Sequence, residues 1–215
     1  MKLTTAATLS RDSYTMSRVN KTILASINSA TRLRHFNSIA RYSAVALLGT
    51  MFLLCASASA QEASEYQVKA AFLYNFAKFV EWPANVGAGS DVPLVIGVLG
   101  KDPFGREIDR AVEGKTVNGR RLMIKRFSSL EAYEYCHILF VSSSERNNLP
   151  QIIAAVRNSS VLTVSETDRF AHIGGIINFV TIENRIRFEI NQAAAERAGL
   201  KISSKLLSLG RVVRT

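Results

Sequence analysis

Cysteine is almost absent from this chain of 215 residues, which contains only Cys55 and Cys136. Cys55 lies in a segment that we expect to be removed, as argued below, so the mature protein would keep a single cysteine. One cysteine cannot form an intramolecular disulfide, and the fold must then be stabilised by its own core. We therefore expect no disulfide framework of the kind that small secreted proteins use.

Histidine is also scarce, and only His137 and His172 lie beyond residue 60. No His or Cys in this part of the chain has the spacing of a zinc site. His137 follows Cys136 on a predicted strand, where neighbouring side chains point to opposite faces, so these two cannot form a catalytic pair. We expect no metal, no cofactor and no catalytic residues, and we predict that the protein is not an enzyme.

The glycines between residues 97 and 105 lack the pattern of a nucleotide-binding loop. Lys101 is followed by Asp102 where a phosphate loop needs Ser or Thr, and the spacing does not fit the dinucleotide fingerprint. A tight turn between a strand and a helix is the simpler interpretation. The alternative is a crevice for an anion or a small ligand at the carboxyl ends of two strands. Its candidate residues are Gly100, Lys101, Arg106, Ser142 and Ser143.

Acidic residues are fewer than basic ones, with 17 Asp and Glu against 27 Lys and Arg and a net charge of +10. Residues 1–60 contain seven of the basic residues and one acidic residue, so they account for +6 and the remainder carries +4. Most of the excess therefore lies outside the predicted domain. We expect no binding to nucleic acid.

Residues 1–60 have the order of a secretion signal. An uncharged, apolar run over residues 42–55 follows Arg32, Arg34 and Arg41 and precedes Ala58-Ser59-Ala60. The run is shorter than the ~20 residues that span a membrane, which favours cleavage over a retained anchor. We predict cleavage after Ala60 and a periplasmic protein of a Gram-negative bacterium, with no membrane insertion after cleavage. The long, nearly acid-free basic region also fits an organellar transit peptide, unless translation starts at Met16.

Residues 61–215 show alternating helix and strand patterns, which predict one α/β domain. Residues 65–81 carry an apolar stripe at helical spacing that ends before Pro83. Lys69 falls within this stripe, where we favour a long stem that reaches solvent over a buried ion pair. Asp102-Pro103 is expected to begin a short helix that runs to Val112. Further helices are predicted over residues 149–156, over 193–198 behind a cap at Asn191, and over 205–208 behind a cap at Ser203 or Ser204.

A continuous apolar run over residues 93–100 predicts a strand that is covered on both faces. Further strands are predicted over residues 136–141, which are again apolar, over 161–164, and over 121–127 behind a turn at Asn118-Gly119. Residues 176–182 and 185–190 predict an antiparallel hairpin at one edge of the sheet. The predicted fold is therefore α/β: a single compact domain with a mixed, mostly parallel sheet, helices on both faces and a C-terminal antiparallel hairpin.

Two surfaces are candidates for binding another protein. Arg185, Arg187, Glu189 and Asn191 alternate along the last predicted strand, and we expect them to line its outward face. Trp82 at the end of the first helix is either a lid on the core or an interface anchor.

Three segments resemble the YfiR-like family of small periplasmic proteins and together cover most of the predicted domain. They are Tyr66-x-x-Lys69-Ala70-x-Phe72-x-Tyr74-Asn75-Phe76-x-Lys78-Phe79-x-x-Trp82-Pro83, then Gly174-Gly175-x-Ile177-x-Phe179, and finally Arg187-Phe188-Glu189-Ile190-Asn191 leading to Leu200-Lys201-Ile202-Ser203-Ser204-x-Leu206-Leu207.

This resemblance implies an α/β domain that dimerises and holds an inner-membrane diguanylate cyclase inactive by binding its periplasmic region. Lower cyclic-di-GMP and less biofilm would follow. The family's namesake is stabilised by disulfides, and the lone Cys136 departs from that pattern. We expect a periplasmic regulatory binding protein with a diguanylate cyclase as its partner. The alternative is a periplasmic small-ligand-binding or weakly catalytic domain that uses the crevice.

Overall fold

The computed structural model of this protein describes residues 65–84, 86 and 92–214. The predicted signal in residues 1–60, its cleavage after Ala60 and the alternative start at Met16 lie outside these residues. None of the helices within them combines the length and the apolar character that crossing a membrane requires.

Ten strands and five α-helices lie in the described part of the chain. The strands are β1 (Val80–Glu81), β2 (Leu94–Leu99), β3 (Thr116–Val117), β4 (Arg120–Phe127), β5 (Ile138–Val141), β6 (Leu162–Ser165), β7 (Ile177–Ile182), β8 (Arg185–Asn191), β9 (Lys201–Ile202) and β10 (Arg211–Val213). The helices are α1 (residues 65–79), α2 (Glu107–Val112), α3 (Leu149–Val156), α4 (Gln192–Arg197) and α5 (Ser204–Leu209).

Within the described residues the main sheet has eight strands in the order β10-β8-β7-β6-β5-β2-β4-β3. The five neighbours from β4 to β7 run parallel, whereas β8 is antiparallel to β7 and β3 is antiparallel to β4. One core lies under α1, α2, α4 and α5, and a second lies under α3. The predicted α/β domain, with a mostly parallel sheet and helices on both faces, is confirmed.

The first helix ends two residues earlier than its apolar stripe predicts. Val80 and Glu81 form β1, which pairs antiparallel with β9. The Phe79 carbonyl, at the end of α1, accepts a hydrogen bond of 2.9 Å from the Ser203 N–H. Pairing with a distant segment thus ends the helix, although the local pattern would allow it to continue.

The second helix also begins later than predicted. Asp102 Oδ1 accepts a hydrogen bond of 2.7 Å from the Phe104 N–H, which closes a turn ahead of α2. Phe104 is buried, and its ring packs edge-on against Phe140 with the centroids 4.7 Å apart. Burial of this aromatic ring holds residues 102–104 in a turn, so the helix starts at Glu107.

The C-terminal hairpin of β7 and β8 is confirmed, but it does not form the edge of the sheet. The short strand β10 pairs with β8 in parallel and occupies the outer position. The predicted elements did not include β10. Its three residues show no strong alternation, and it is held in part by an ion pair between Arg211 and the buried Glu189.

Candidate functional site

The crevice predicted at the carboxyl ends of β2 and β5 is occupied by the protein's own side chains. Gly100 has a φ of +89°, and a Cβ at this position would lie 2.4 Å from Ser144 Oγ. The Lys101 N–H donates to the same Ser144 oxygen at 2.9 Å. Ser142 is buried, and its hydroxyl accepts from the Ser144 N–H at 3.4 Å. The turns after the two strands therefore contact each other directly.

The other crevice residues do not join this contact. Arg106 is exposed immediately before α2, where its side chain makes no capping hydrogen bond. Ser143 is exposed as well, and it lines a different cavity next to α1. The structure thus brings Gly100, Lys101 and Ser142 together and leaves Arg106 and Ser143 apart from them.

A buried ion cluster joins α1 to the end of β6. Lys69 Nζ lies 2.5 Å from carboxylate oxygens of both Glu65 and Glu166, and its side chain is 5% exposed. The Tyr66 hydroxyl donates to the Glu166 carboxylate at 3.1 Å. The expectation that Lys69 reaches solvent was therefore wrong. Folding places Glu166 beside α1, and a buried ammonium needs such a counter-charge.

The cavity beside this cluster has a volume of about 500 Å³ and lies past the end of β6. Glu65, Glu166 and Asp168 contribute three acidic side chains to its wall, and Lys69 contributes one basic side chain. Sequence reasoning missed this arrangement. Lys69 was the one indication in the sequence. A lysine within an apolar stripe either extends its stem to solvent or pairs with a buried carboxylate, and the sequence does not show which carboxylate that is.

Trp82 packs on a second buried polar group, His137. Its Nε1–H donates to the His137 carbonyl at 3.3 Å, and the indole meets the imidazole edge-on with centroids 5.8 Å apart. The indole is half-buried. It therefore covers the amino end of β5 and keeps part of its surface exposed to solvent.

The His137 ring is held between two donors. Its Nδ1 accepts from the Val95 N–H at 3.1 Å, and its Nε2 lies 2.8 Å from a guanidinium nitrogen of Arg120. Burial, and then the charge of Arg120, lower the pKa of His137 to about 4. The ring is thus neutral near pH 7, because burial and the neighbouring guanidinium both disfavour a positively charged imidazole.

The residues predicted to line the outward face of β8 separate into two groups. Arg185 and Arg187 are exposed, whereas Glu189 is 3% exposed and Asn191 is fully buried. The outward orientation expected for Glu189 and Asn191 was wrong. The strand β10 and the turn over Phe170–Ile173 lie against this end of β8 and enclose it.

Both buried polar side chains are used within the fold. The Glu189 carboxylate pairs with the Arg211 guanidinium and lies 3.8 Å from His172 Nε2. Asn191 caps α4 by accepting from the Ala194 N–H at 2.9 Å, and it donates to the Ala171 carbonyl at 2.7 Å. The predicted cap of α4 is confirmed.

Reactive groups are few in the described residues. Burial raises the pKa of the Cys136 thiol to about 12, which keeps the sulfur protonated and unreactive. Across residues 65–84, 86 and 92–214, no three His, Cys, Asp or Glu side chains lie close enough together to hold a metal ion. The arrangement supplies internal ion pairs and leaves Arg185 and Arg187 exposed on the hairpin.

One of the solved structures that resemble this chain does so only distantly. A solved structure of an ABC domain in complex with L-Trp from Streptococcus pneumonia shares 12% identity over 55% of this chain, with a TM-score of 0.41. The alignment spans 56% of that structure, and neither fold nor function follows from so distant a likeness. A comparison with curated proteins gives no match.

The family model described as YfiR/HmsC-like matches residues 66–211, from Tyr66 in α1 to Arg211 in β10. This family is periplasmic, and its role is regulatory rather than catalytic, in cyclic-di-GMP signalling. Because the match covers more than half of the chain and includes all three segments noted in the sequence, this protein belongs to the YfiR/HmsC-like family.

Proposed function

We propose that this protein is a periplasmic regulatory binding protein that represses an inner-membrane diguanylate cyclase. The observation that carries the proposal is the family match over residues 66–211. A periplasmic protein cannot reach cyclic-di-GMP made in the cytoplasm, so its influence must pass through a membrane-spanning partner. It would act by binding the partner's inactive state more tightly, and a tenfold preference corresponds to about 1.4 kcal/mol.

We propose that the partner contacts the turn end of the β7–β8 hairpin, which comprises residues 179–182 and 185–188. β6 pairs with β7 only as far as Asn178, and β10 pairs with β8 only over Glu189–Asn191. Residues 179–182 and 185–188 therefore have no strand neighbour on their outer sides within the described part of the chain. Unpaired edges of this kind can accept a strand from a partner.

The composition of this hairpin end supports a protein contact. Val180 lies opposite Arg187, and Ile182 lies opposite Arg185, so these four side chains share one face of the hairpin. Ile182 is 48% exposed, and both arginines are exposed. The exposed arginines favour a protein contact, because arginine is enriched among the residues that contribute most to protein binding.

Deletion of the gene should raise cellular cyclic-di-GMP, because the cyclase loses its repressor. Deletion of the partner cyclase in the same strain should abolish the rise. The partner can be identified by crosslinking in the periplasm followed by mass spectrometry. Unchanged cyclic-di-GMP in the deletion strain, together with no crosslinked inner-membrane cyclase, would refute the proposal.

Single substitutions locate the contact. Arg187→Glu should reproduce the deletion phenotype while the purified variant melts as the unaltered protein does, because Arg187 is exposed. Arg121→Glu is the matched control, since Arg121 is an exposed arginine on β4 toward the opposite edge of the sheet. Equal effects of the two substitutions would remove the hairpin from the proposal.

Trp82 is the second proposed contact, through the part of its indole that remains exposed. Trp82→Phe removes the hydrogen bond to His137 and keeps an aromatic surface, whereas Trp82→Ala removes both. A partner contact predicts that only the alanine variant raises cyclic-di-GMP at equal protein levels. If the rise in cyclic-di-GMP follows the loss in melting temperature in both variants, Trp82 covers the core and does not contact the partner.

The proposal includes self-association, which the family resemblance implies. Sedimentation equilibrium of the purified protein should then give twice the mass of the mature chain. A mass equal to one chain at micromolar concentration would remove the dimer and leave the regulatory proposal intact.

A further inference from the structure

A cavity of about 390 Å³ lies between α3 and α4, at the amino ends of β6 and β7. Its volume is within the range of small-molecule sites, roughly 300–1,000 Å³. It is separate from the Lys69 cluster, which lies past the carboxyl end of β6, and from the hairpin surface proposed for the partner.

The floor of this cavity is apolar. It consists of side chains that are at most 6% exposed and come from α3, α4 and the starts of β6 and β7: Ile153, Val156, Val161, Ile176, Ala194 and Ala198. Ile173 on the rim is 50% exposed, which is unusual for a large aliphatic side chain. The floor and the rim together can bury the apolar body of a ligand.

The polar part of the lining is basic. Arg157 at the end of α3, Arg197 at the end of α4 and His172 are exposed at the rim, and none of the described residues that line the cavity is acidic. No ion pair joins either arginine to a carboxylate within the described residues. The carboxylate nearest to His172 belongs to Glu189, which lies outside the lining and is paired with Arg211.

A buried hydroxyl completes the lining. Thr163 is 4% exposed, and its oxygen accepts from the Ile176 N–H at 3.0 Å. The hydroxyl hydrogen can still donate. The lining thus contains two guanidinium groups, an imidazole and this hydroxyl as hydrogen-bond donors. Guanidinium–carboxylate hydrogen bonds are among the strongest in proteins.

From this geometry we infer that the cavity binds a small amphipathic carboxylate: an anionic head held by Arg157 and Arg197, and an apolar body on the floor between α3 and α4. An amino acid is a poor match, because its ammonium group would meet no carboxylate in the lining. This site is independent of the proposed repressor function, and each can fail without the other.

The test on the unaltered protein compares three probes that share one alkyl chain: octanoate, 1-octanol and octylammonium. Binding is measured by titration calorimetry and by the shift in melting temperature, since a ligand of the native state raises apparent stability. Octanoate should bind and raise the melting temperature, and the other two should bind at least tenfold more weakly. Equal binding of octanol, tighter binding of octylammonium, or no binding of octanoate at millimolar concentration would overturn the inference.

Variants then place the octanoate site. Arg157→Gln and Arg197→Gln should each weaken octanoate binding by roughly tenfold or more, because each removes a charge-assisted hydrogen bond. Arg146→Gln is the matched control, since Arg146 is exposed ahead of α3 and does not line the cavity. All three are surface changes that should leave the melting temperature without ligand unaltered. Octanoate binding that is unaffected by either cavity variant would show that it binds elsewhere.

Discussion

At the scale of single residues, two buried titratable side chains distinguish this domain. His137 is neutral near pH 7 because burial and the charge of Arg120 lower its pKa, and Lys69 lies between two carboxylates. Neither side chain is arranged for catalysis, since each is enclosed by structural partners. Their effects should therefore be seen in the stability of the fold.

Acid should destabilise the protein through His137. Its pKa is about 4 in the folded state against an unfolded value near 6.5, so between these pH values the unfolded chain binds more protons. The free energy of unfolding should therefore fall as the pH is lowered from 6.5 to 5. Denaturant unfolding at several pH values measures this slope.

The His137→Asn variant tests this assignment. It keeps an acceptor for the Val95 N–H and cannot titrate, so its slope should be smaller than that of the unaltered protein. The assignment to His137 fails if His137→Asn has the slope of the unaltered protein.

Removal of the Lys69 charge should lower the free energy of unfolding. Lys69→Met leaves Glu166, which is 12% exposed, without its counter-charge, and breaking a buried pair in this way costs about 3 kcal/mol. Lys78→Met on the same helix is the control, because Lys78 is exposed. Thermal and denaturant unfolding should show a large loss for the first variant and a small change for the second.

A double variant tests whether the cost arises from the unpaired carboxylate. Lys69→Met combined with Glu166→Gln removes both charges of the pair and should be more stable than Lys69→Met alone. Equal stability of the single and double variants would show that packing of the lysine stem, rather than the ion pair, is what the fold requires.

At the scale of elements, the turn over Phe170–Ile173 connects the hairpin to the rest of the domain. A Cβ at Gly175 would lie 2.2 Å from the Phe170 ring, so only glycine allows the chain to pass this ring. From the other side, the Asn191 side chain donates to the Ala171 carbonyl. The turn is thus held by contacts at the start of β7 and at the end of β8.

Asn191→Ala should therefore lower stability more than loss of an ordinary helix cap. It removes the α4 cap and the bond to Ala171 in a fully buried position, and we expect a loss of about 2–3 kcal/mol in the free energy of unfolding. Ser203→Ala removes the comparable cap of α5, at 3.3 Å from the Leu206 N–H, and should cost about 1 kcal/mol. Denaturant unfolding of both variants measures the difference. Equal losses would show that the hydrogen bond from Asn191 to Ala171 adds nothing to the α4 cap.

At the scale of the whole molecule, the proposed repressor function requires that the chain is exported. Intact-mass analysis of protein from the periplasmic fraction should give a chain that starts at Gln61, because Ala58-Ser59-Ala60 fits a cleavage site after an apolar run. An Ala60→Pro or Ala58→Arg change at that site should leave a longer chain in the membrane fraction. Recovery of the full-length chain from the cytoplasm would contradict the export prediction.

Much of the fold could be predicted from the sequence by itself. Continuous apolar runs determined β2 and β5, Asn118-Gly119 determined the turn between β3 and β4, and the caps at Asn191 and Ser203 marked the starts of two helices. These features depend on local patterns of burial and on side chains that bond within three residues. The family motifs are likewise linear, so they could be identified before the fold was known.

Tertiary structure alone decided what happens where distant segments meet. Lys69 pairs with Glu166, which lies 97 positions further along the chain. Pairing of β1 with β9 ends the first helix, and no local pattern predicts that pairing. Glu189 and Asn191 alternate as an exposed strand face should, yet β10 and the Phe170–Ile173 turn bury them. The cavity lined by Arg157 and Arg197 exists only because α3 and α4 pack on neighbouring strands, since burial and charge there depend on which segments fold together.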